Sequence, residues 1–368
     1  MLSEVSLYVA TPEQTIIVRK RNAAQWGMGL TVDEFLDREA KGDEEEFARD
    51  GKLITWVLAP RNDSTTLDFF CSCRTFKRKI VLCRPLQPGV EPVLEECYGY
   101  GVSSLFTPPE YRNKGYGKHT MTLLHWVLAR DEYLATQEFP EAEWGQRPAR
   151  VKGAGEGWLS GLWSDAGPTI YAKCGVSIGG KGWVVKDPIS TVWKMDEVGD
   201  IIPEIEGEVT WLDNKLAEEV WNKDAEQIKD DVVQQARKVK KGQFSFLPNE
   251  GVGFYQWSRF EYHFSRYVER PPEYYGVQIG EGFATWTCEY RPGLPRTLVV
   301  TRVRADKKTA ERLIQYALGY ARRLGMDQVE AWNLGLGAEV VRDGHLPAVK
   351  TYFDEEVEWM ANERFCWC

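Results

Sequence analysis

The residues whose types and spacing could do chemistry lie in one short run, Arg-Asn-Lys-Gly-Tyr-Gly-Lys, at positions 112–118. Gly115 and Gly117 leave the main chain open to a ligand, at a point where a strand pattern gives way to a helical one. A helix N-terminus presents unpaired N–H groups and partial positive charge, which attract a phosphate or a diphosphate. Full positive charges would come from Arg112, Lys114 and Lys118. The run predicts an anion site, with solvated surface charge as the alternative interpretation of these basic side chains.

Other signatures of nucleotide binding and acyl chemistry receive no support from the sequence. The Walker pattern Gly-x4-Gly-Lys-Ser/Thr is absent, and so is the Gly-x-Gly-x-x-Gly fingerprint of dinucleotide-binding proteins. A Gly-x-Ser-x-Gly run occurs once, at residues 175–179, but no helical pattern follows it, as the nucleophile turn of a serine hydrolase requires. No His-x-x-x-Asp run occurs either, which excludes the acyltransferases that use its histidine as a base.

The elements that must position the glycine-rich run alternate between strands and helices. Thr11 and Pro12 are typical of a helix start after a first strand at residues 5–10. Thr31 and Glu34 form a capping-box pattern for a second helix. Further strand patterns precede and follow a helix at residues 116–130, and they lie at residues 53–58, 67–73, 79–83, 96–106 and 158–163. Residues 132–157 are polar and irregular and are predicted to be an inserted loop, and a short helix is predicted to end at Gly175.

The second half of the chain has a similar order of elements. An acidic, helical stretch follows residue 195, and strands at 282–290, 298–304 and 328–332 surround a helix at 307–324. We therefore predict an α+β protein with an N-terminal domain at 1–195, a helical linker at 196–245 and a smaller α+β domain at 246–368. The similar order suggests that the two halves share an ancestry.

Composition limits the classes of partner. The net charge of −9 disfavours nucleic acid and anionic membranes, since both attract basic surfaces. No secretory signal and no apolar run of about 18 residues is visible, so we expect a cytoplasmic protein without a membrane partner. The eight Cys residues are expected to be reduced thiols, and the pairs Cys71/Cys73 and Cys366/Cys368 are spaced unlike the cysteines of zinc sites. No metal site is therefore predicted.

The pattern Arg-x-x-Gly-x-Gly, preceded by an apolar strand and Thr-Pro-Pro-Glu-Tyr, resembles the acetyl-CoA signature of the GNAT superfamily of N-acetyltransferases. Residues 158–163 and 168–175 look like the next strand and helix of that family, in which a tyrosine precedes x-x-x-Gly. The resemblance covers about residues 1–195 and implies a GNAT mixed sheet flanked by helices. The second half would then be a degenerate GNAT-like unit. Its corresponding junction at 303–307 lacks glycines, so one acetyl-CoA site is expected.

The resemblance implies acetyl-CoA as co-substrate and assigns roles to individual residues. Tyr171 matches the general acid that protonates the departing CoA thiolate, with a core tyrosine as the alternative interpretation. The strand that binds the pantetheine arm would include Leu105, Phe106 and Thr107. The turn around the diphosphate would consist of Arg112, Asn113, Lys114, Gly115, Tyr116, Gly117 and Lys118.

More narrowly, the run Thr-Pro-x-x-Tyr-Arg-x-Lys-Gly-Tyr-Gly and the segment 163–167 are similar to fungal lysine acetyltransferases, which acetylate the ε-amine of free lysine. Trp163 and Asp165 are candidates for binding this small-molecule amine, although Asp165 could instead cap a helix. Gly101 occupies the position where some GNAT enzymes carry a carboxylate base, which predicts a water relay or a base from elsewhere. Another amine-bearing metabolite and a non-catalytic CoA-binding or interaction protein remain as alternatives.

Overall fold

Two mixed β-sheets with helices against them make up the protein. The computed structural model describes residues 1–84, 91–199, 209–263, 268 and 271–368. Nine described strands form the first sheet and seven form the second. The predicted α+β architecture, with a GNAT-like mixed sheet flanked by helices and a second sheet, is confirmed.

The first sheet has the strand order β1-β2-β3-β4-β5-β15-β6, with β9 beside one end of β3 and β16 beside β9. Within the main run only β4 and β5 are parallel neighbours. Its strands are β1 (Val5–Val9), β2 (Leu53–Pro60), β3 (Cys71–Cys83), β4 (Leu94–Phe106), β5 (Gly157–Ser164), β6 (Val184–Val185), β9 (Gly242–Phe246), β15 (Leu346–Thr351) and β16 (Val357–Trp359).

The second sheet has the order β14-β7-β13-β12-β11-β10-β8. Its parallel pair, β12 and β13, is joined by a helix in the same way as β4 and β5 in the first sheet. Its strands are β7 (Ile189–Lys194), β8 (Val209–Leu212), β10 (Gly276–Ile279), β11 (Gly282–Glu289), β12 (Thr297–Arg304), β13 (Gln328–Trp332) and β14 (Glu339–Val341).

Side-chain caps fix where the first helices begin. The Thr11 hydroxyl accepts from the Gln14 main-chain N–H at 3.2 Å, and Thr31 caps the second helix through Glu34, as the sequence predicts. The described helices are α1 (Pro12–Trp26), α2 (Val32–Glu44), α3 (Tyr116–Leu128), α4 (Asp131–Leu134), α5 (Glu141–Trp144), α6 (Asn214–Val239), α7 (Tyr255–Ser258) and α8 (Lys307–Arg323).

The helix α3 lies inside the core, where residues 119–128 are all buried. One side packs on the first sheet, and Trp126 on another side meets Phe139 edge to face, with 4.9 Å between ring centroids. Arg147 lies 4.8 Å from the centroid of the Trp126 ring. The stretch predicted as an inserted loop therefore contains the short helices α4 and α5 and covers the central helix.

Several local predictions were wrong. The strands predicted at 67–73 and 79–83 are parts of one strand, β3, because residues 74–78 stay extended between β2 and β4. The short helix expected to end at Gly175 is only a single 3-10 turn, Tyr171–Lys173. Close contacts between Gly175 and Gly180 leave no room for a Cβ there.

The two sheets exchange strands across the predicted domain limits. β15 lies between β5 and β6 in the first sheet, whereas β7 belongs to the second. The division at 1–195, 196–245 and 246–368 remains a prediction, and residues 200–208 of the linker lie outside the described residues.

A buried hydrogen-bond network holds β15 against the rest of the first sheet. Burial lowers the pKa of His125 to about 3, so the neutral ring donates from Nε2 to the Cys174 carbonyl at 2.7 Å. Its Nδ1 lies 3.1 Å from the hydroxyl of Tyr352, just after β15, and that hydroxyl lies 2.9 Å from Ser160 Oγ. Trp183 Nε1 completes the network by donating to Ser160 at 3.1 Å. The network joins α3, β5 and β15.

We predict that Tyr352→Phe lowers the free energy of unfolding by about 1–3 kcal/mol, because it leaves His125 Nδ1 buried without a partner. Urea denaturation measures this loss. The control is Tyr8→Phe, since the hydroxyl of this half-buried residue has no partner among the described residues. Equal stability of the two variants would contradict the role given to the network.

Candidate active site

The parallel strands β4 and β5 separate in the middle of the first sheet. Their pairing runs from Tyr98–Gly157 to Val102–Leu162 and then stops. A shift in the β3–β4 register and a φ of +54° at Ser104 mark an irregularity at this point of β4. The N–H and C=O groups beyond it are open toward β5 in the described part of the sheet. The predicted pantetheine-binding residues Leu105, Phe106 and Thr107 lie here, each half-buried.

The glycine-rich turn lies on the surface directly after this opening. Gly115 is the N-cap of α3 with φ +84°, and no side chain caps this helix among the described residues. The first helical bond runs from the His119 N–H to the Gly115 carbonyl at 2.9 Å, so the amides of the first turn have no intrahelical partner. The exposed residues of the turn are Arg112, Asn113, Lys114, Gly115 and Lys118. This geometry suits an anion.

Side chains on both sides of the turn hold its shape. Arg112 Nε donates to the Thr107 carbonyl at 3.1 Å, which ties the turn to the end of β4. Tyr116 stacks on Phe70 with 4.6 Å between ring centroids. A Cβ at Gly117 would lie 3.3 Å from Thr107 Oγ1, so this position tolerates little extra volume.

The start of α8, the helix after β12 in the second sheet, differs from the start of α3. Asp306 caps this helix, and its carboxylate accepts from the Thr309 N–H at 3.1 Å. A carboxylate already occupies the place where an anion would bind at α3. This difference supports the expectation of one acetyl-CoA site.

A cavity of about 610 Å³ lies beside the opening between β4 and β5. Four of the residues predicted for the site line it, namely Leu105, Trp163, Asp165 and Tyr171. The structure therefore brings the strand end, the two acceptor candidates and the candidate acid together. Residues that sequence reasoning missed also line it, among them Arg38, Arg74, Arg259, Arg291, His345 and Trp367.

Tyr171 lies in the 3-10 turn after β5, held by a main-chain bond from Trp183 N–H to its carbonyl at 3.1 Å. Its ring also meets the Trp183 ring edge to face at 6.5 Å. Burial, with the nearby Cys174 thiol and Asp165 carboxylate, raises the pKa of Tyr171 well above its usual value. The hydroxyl therefore keeps its proton at neutral pH and is a weaker acid than the hydroxyl of a free tyrosine.

Asp165 contacts a histidine from the other half of the chain. Its Oδ1 accepts from the main-chain N–H of His345 at 2.8 Å and lies 3.0 Å from His345 Nδ1, although the ring is not aligned for a good hydrogen bond. Burial would raise the pKa of Asp165, but the bonds and charge of His345 outweigh it and lower that pKa. No helix begins at Asp165, because Ser164 Oγ accepts from the Ala166 N–H and closes the turn. The capping role considered for Asp165 is therefore wrong.

Arginines also line the wall of the cavity. Arg38 and Arg74 both pair with the buried Glu39, and Arg38 Nη1 is buried without a partner. Burial opposes ionisation of Glu39, but the two guanidinium charges lower its pKa to about 2. Arg259 donates to the Tyr255 hydroxyl at 2.8 Å and has no carboxylate partner in the described part of the chain. The wall therefore carries excess positive charge.

Gly101 lies where a carboxylate base was considered and cannot carry a side chain in this structure. A Cβ there would lie 2.7 Å from Cys368 Sγ and 3.4 Å from the Arg78 guanidinium carbon. A base must therefore come from another element.

Other site types receive no support from the described residues. Within the described ranges, no group of three or more His, Cys, Asp or Glu side chains is arranged to hold a metal ion, and all eight Cys are free thiols. Likewise, no described helix has both the length and the apolar character needed to span a bilayer. The cytoplasmic location stays a prediction.

Comparison with known proteins gives one family match. Residues 202–368 match the family described as LYC1 GNAT-like C-terminal domain. No curated protein matches the chain. A solved GCN5-related N-acetyltransferase from Kribbella flavida is 13% identical, with 94% of this chain and 71% of that chain covered and a TM-score of 0.48. One from Anabaena variabilis ATCC 29413 is 12% identical, with 95% and 73% covered and a TM-score of 0.49.

The family match lies in the half of the chain that carried no signature of its own. It supports the prediction that this half is a GNAT-like unit. The glycine-rich signature and the family match therefore come from different parts of the chain, 112–118 and 202–368.

We predict that Gly117→Asp weakens the binding of coenzyme A at least tenfold, because a carboxylate at the start of α3 repels a diphosphate. Isothermal titration calorimetry measures the affinity. Gly319→Asp is the control, since Gly319 lies within α8 with open space around it. Unchanged affinity in Gly117→Asp would mean that the diphosphate binds elsewhere.

Proposed function

We propose that this protein is an N-acetyltransferase that moves the acetyl group of acetyl-CoA directly to the amine of a small molecule. The observation that carries the proposal is the sequence of features along β4, α3 and β5. An uncapped helix start lies next to a strand opening, and a cavity containing Tyr171 adjoins that opening. The helix start suits the diphosphate, the strand opening suits the extended pantetheine arm, and the cavity suits the acceptor.

The residues of the chain have distinct tasks in this reaction. Main-chain N–H groups at the open edge of β4, near Leu105 and Thr107, polarise the thioester carbonyl as negative charge develops on its oxygen. The acceptor nitrogen forms a bond to the carbonyl carbon, and the carbon–sulfur bond breaks. Tyr171 then gives its proton to the departing thiolate, a step that general acids typically accelerate about 10²–10⁴-fold.

We propose lysine, acetylated on its ε-amine, as the acceptor. The charges of the residues that line the cavity support an amino acid, because they include the Asp165 carboxylate and several arginines. An ammonium group approaches Asp165, whereas an α-carboxylate approaches Arg259, whose guanidinium has no carboxylate partner in the described chain. Trp163 also lines the cavity and supplies apolar surface for the methylene chain.

Two alternatives make different predictions. Another amine-bearing metabolite would be acetylated in place of lysine by the same residues. A non-catalytic CoA-binding protein would bind coenzyme A and release no thiol with any amine. A thiol-release assay with acetyl-CoA and a panel of amines separates the three.

We predict that Tyr171→Phe lowers kcat about 10²–10⁴-fold while the affinity for acetyl-CoA stays within about twofold of wild type. Steady-state thiol release and calorimetry measure the two quantities. Tyr8→Phe serves as the matched control, because its half-buried side chain lies on β1 and does not line the cavity. An active Tyr171→Phe variant would remove this residue from the reaction.

We predict that Arg259→Gln raises the KM for lysine about 10–100-fold, since it removes a charged partner of the α-carboxylate. The KM for cadaverine, which lacks that carboxylate, should stay within about twofold. Arg49→Gln is the control, because the guanidinium of Arg49 is exposed and its ion pair in the described chain is with Asp50, at 3.8 Å. Equal effects on lysine and cadaverine would argue against a carboxylate-bearing acceptor.

A further inference from the structure

We infer that His345 is the general base of the acetyl transfer and that Asp165 is its positioning residue. The inference rests on the proposed function and adds a residue to it. His345 and Tyr171 line the same cavity, although they come from opposite halves of the chain. The chain has four His residues, and His345 is the one that lines this cavity.

The reaction needs a base because the acceptor amine is protonated at neutral pH. A lysine ε-ammonium has a pKa near 10.4 in water, and its nitrogen has no lone pair for attack until a proton leaves. Gly101 offers no room for a carboxylate, and the lowered pKa of Asp165 makes that group a weak base. Imidazole is the side chain whose protonation changes most readily near neutral pH.

Strand register brings the two residues together. β15 pairs antiparallel with β5, and its first pair is Leu346 with Ser164. The next residues outward are His345 and Asp165, which face each other at the end of the two strands. The Asp165 carboxylate accepts from the His345 main-chain N–H at 2.8 Å and lies 3.0 Å from Nδ1. A ring rotation that aligns Nδ1–H with this carboxylate leaves Nε2 as the acceptor.

The surroundings of the ring limit its orientation. His345 has φ +48°, an uncommon conformation for a residue other than glycine, and strained residues concentrate at functional sites. Its ring lies at 5.5 Å, edge to face, from Trp367 and at 6.3 Å, tilted, from Trp332. Arg342 donates to its carbonyl at 3.1 Å. The imidazole is therefore confined by packing on several sides.

The charged groups that face the ring come from several elements. Asp165 approaches from the end of β5, and Arg291, after β11, places Nη1 3.5 Å from Nε2. Arg291 itself pairs at 2.6 Å with Glu289, which also pairs with Arg364. Because a guanidinium has only donors, the atom it faces, Nε2, must carry the lone pair. Nε2 can receive the proton of the acceptor once Arg291 turns from it toward Glu289, with which it already pairs.

The proposed steps balance in atoms and charge. Nε2 takes one proton from the acceptor ammonium, directly or through one water, and the Asp165 carboxylate stabilises the imidazolium. The freed lone pair forms the nitrogen–carbon bond, the carbon–sulfur bond breaks, and the thiolate takes the Tyr171 proton. The second nitrogen proton restores Tyr171, and the imidazolium releases its proton to solvent. One proton is released for each acetyl group transferred.

We predict that His345→Gln lowers kcat/KM for lysine about 10²-fold or more at neutral pH and removes the acidic limb of its pH profile. The affinity for acetyl-CoA should stay within about twofold. Asp165→Asn should lower kcat/KM less and displace the acidic limb of the pH profile. This variant keeps the imidazole of His345 but changes the group beside it. Activity with an aminooxy analogue of lysine, whose nucleophile is neutral at pH 7, should fall much less in His345→Gln.

Imidazole in the assay should restore part of the activity of His345→Ala, which a purely structural role would not allow. If the variants fail to fold, the wild-type protein still gives a test, because its acidic limb should flatten with the aminooxy acceptor. A His345→Gln variant within twofold of wild type, or an unchanged limb with that acceptor, would overturn the role of His345. Failure of the wild-type protein to acetylate any amine would instead reject the proposed function.

Discussion

The separation of β4 and β5 after Val102 and Leu162 is the constraint on which the rest of the site depends. Parallel strands that stay paired would leave no main-chain groups for a ligand and no entrance to the cavity. Their separation also sets the direction of the chain into the turn at Gly115, where the amides of α3 face solvent. The proposed sites for the diphosphate, the extended arm and the acceptor are therefore adjacent to one another along one strand–turn–helix unit.

The acceptor side of the site depends on contacts between distant parts of the chain. β15 follows the second sheet in sequence but completes the first, where the Tyr352 network holds it beside β5. The same register brings His345 to Asp165. The position of β15 beside β5 therefore both stabilises the first sheet and brings the proposed base to Asp165. The second sheet and the region around α7 add the arginines Arg259 and Arg291.

Local signals were readable from the sequence, whereas long-range pairing was not. Thr11 and Thr31 bond within three residues, so their capping patterns predicted two helix starts correctly. The turn at Gly115 is local for the same reason. By contrast, His345 meets a residue 180 positions away, and no periodicity in either segment encodes that pairing. The predicted helix before Gly175 was wrong, because the chain there forms only the 3-10 turn Tyr171–Lys173.

Hydrogen–deuterium exchange of the main-chain amides, with and without coenzyme A, tests directly whether the ligand binds at the open edge of β4 and the start of α3. We expect coenzyme A to slow exchange over residues 103–118, which include the open edge of β4 and the first turn of α3. The start of α8 should not change, because Asp306 already caps it. Protection at residues 306–309, or no protection at residues 113–118, would show that coenzyme A does not bind at the start of α3.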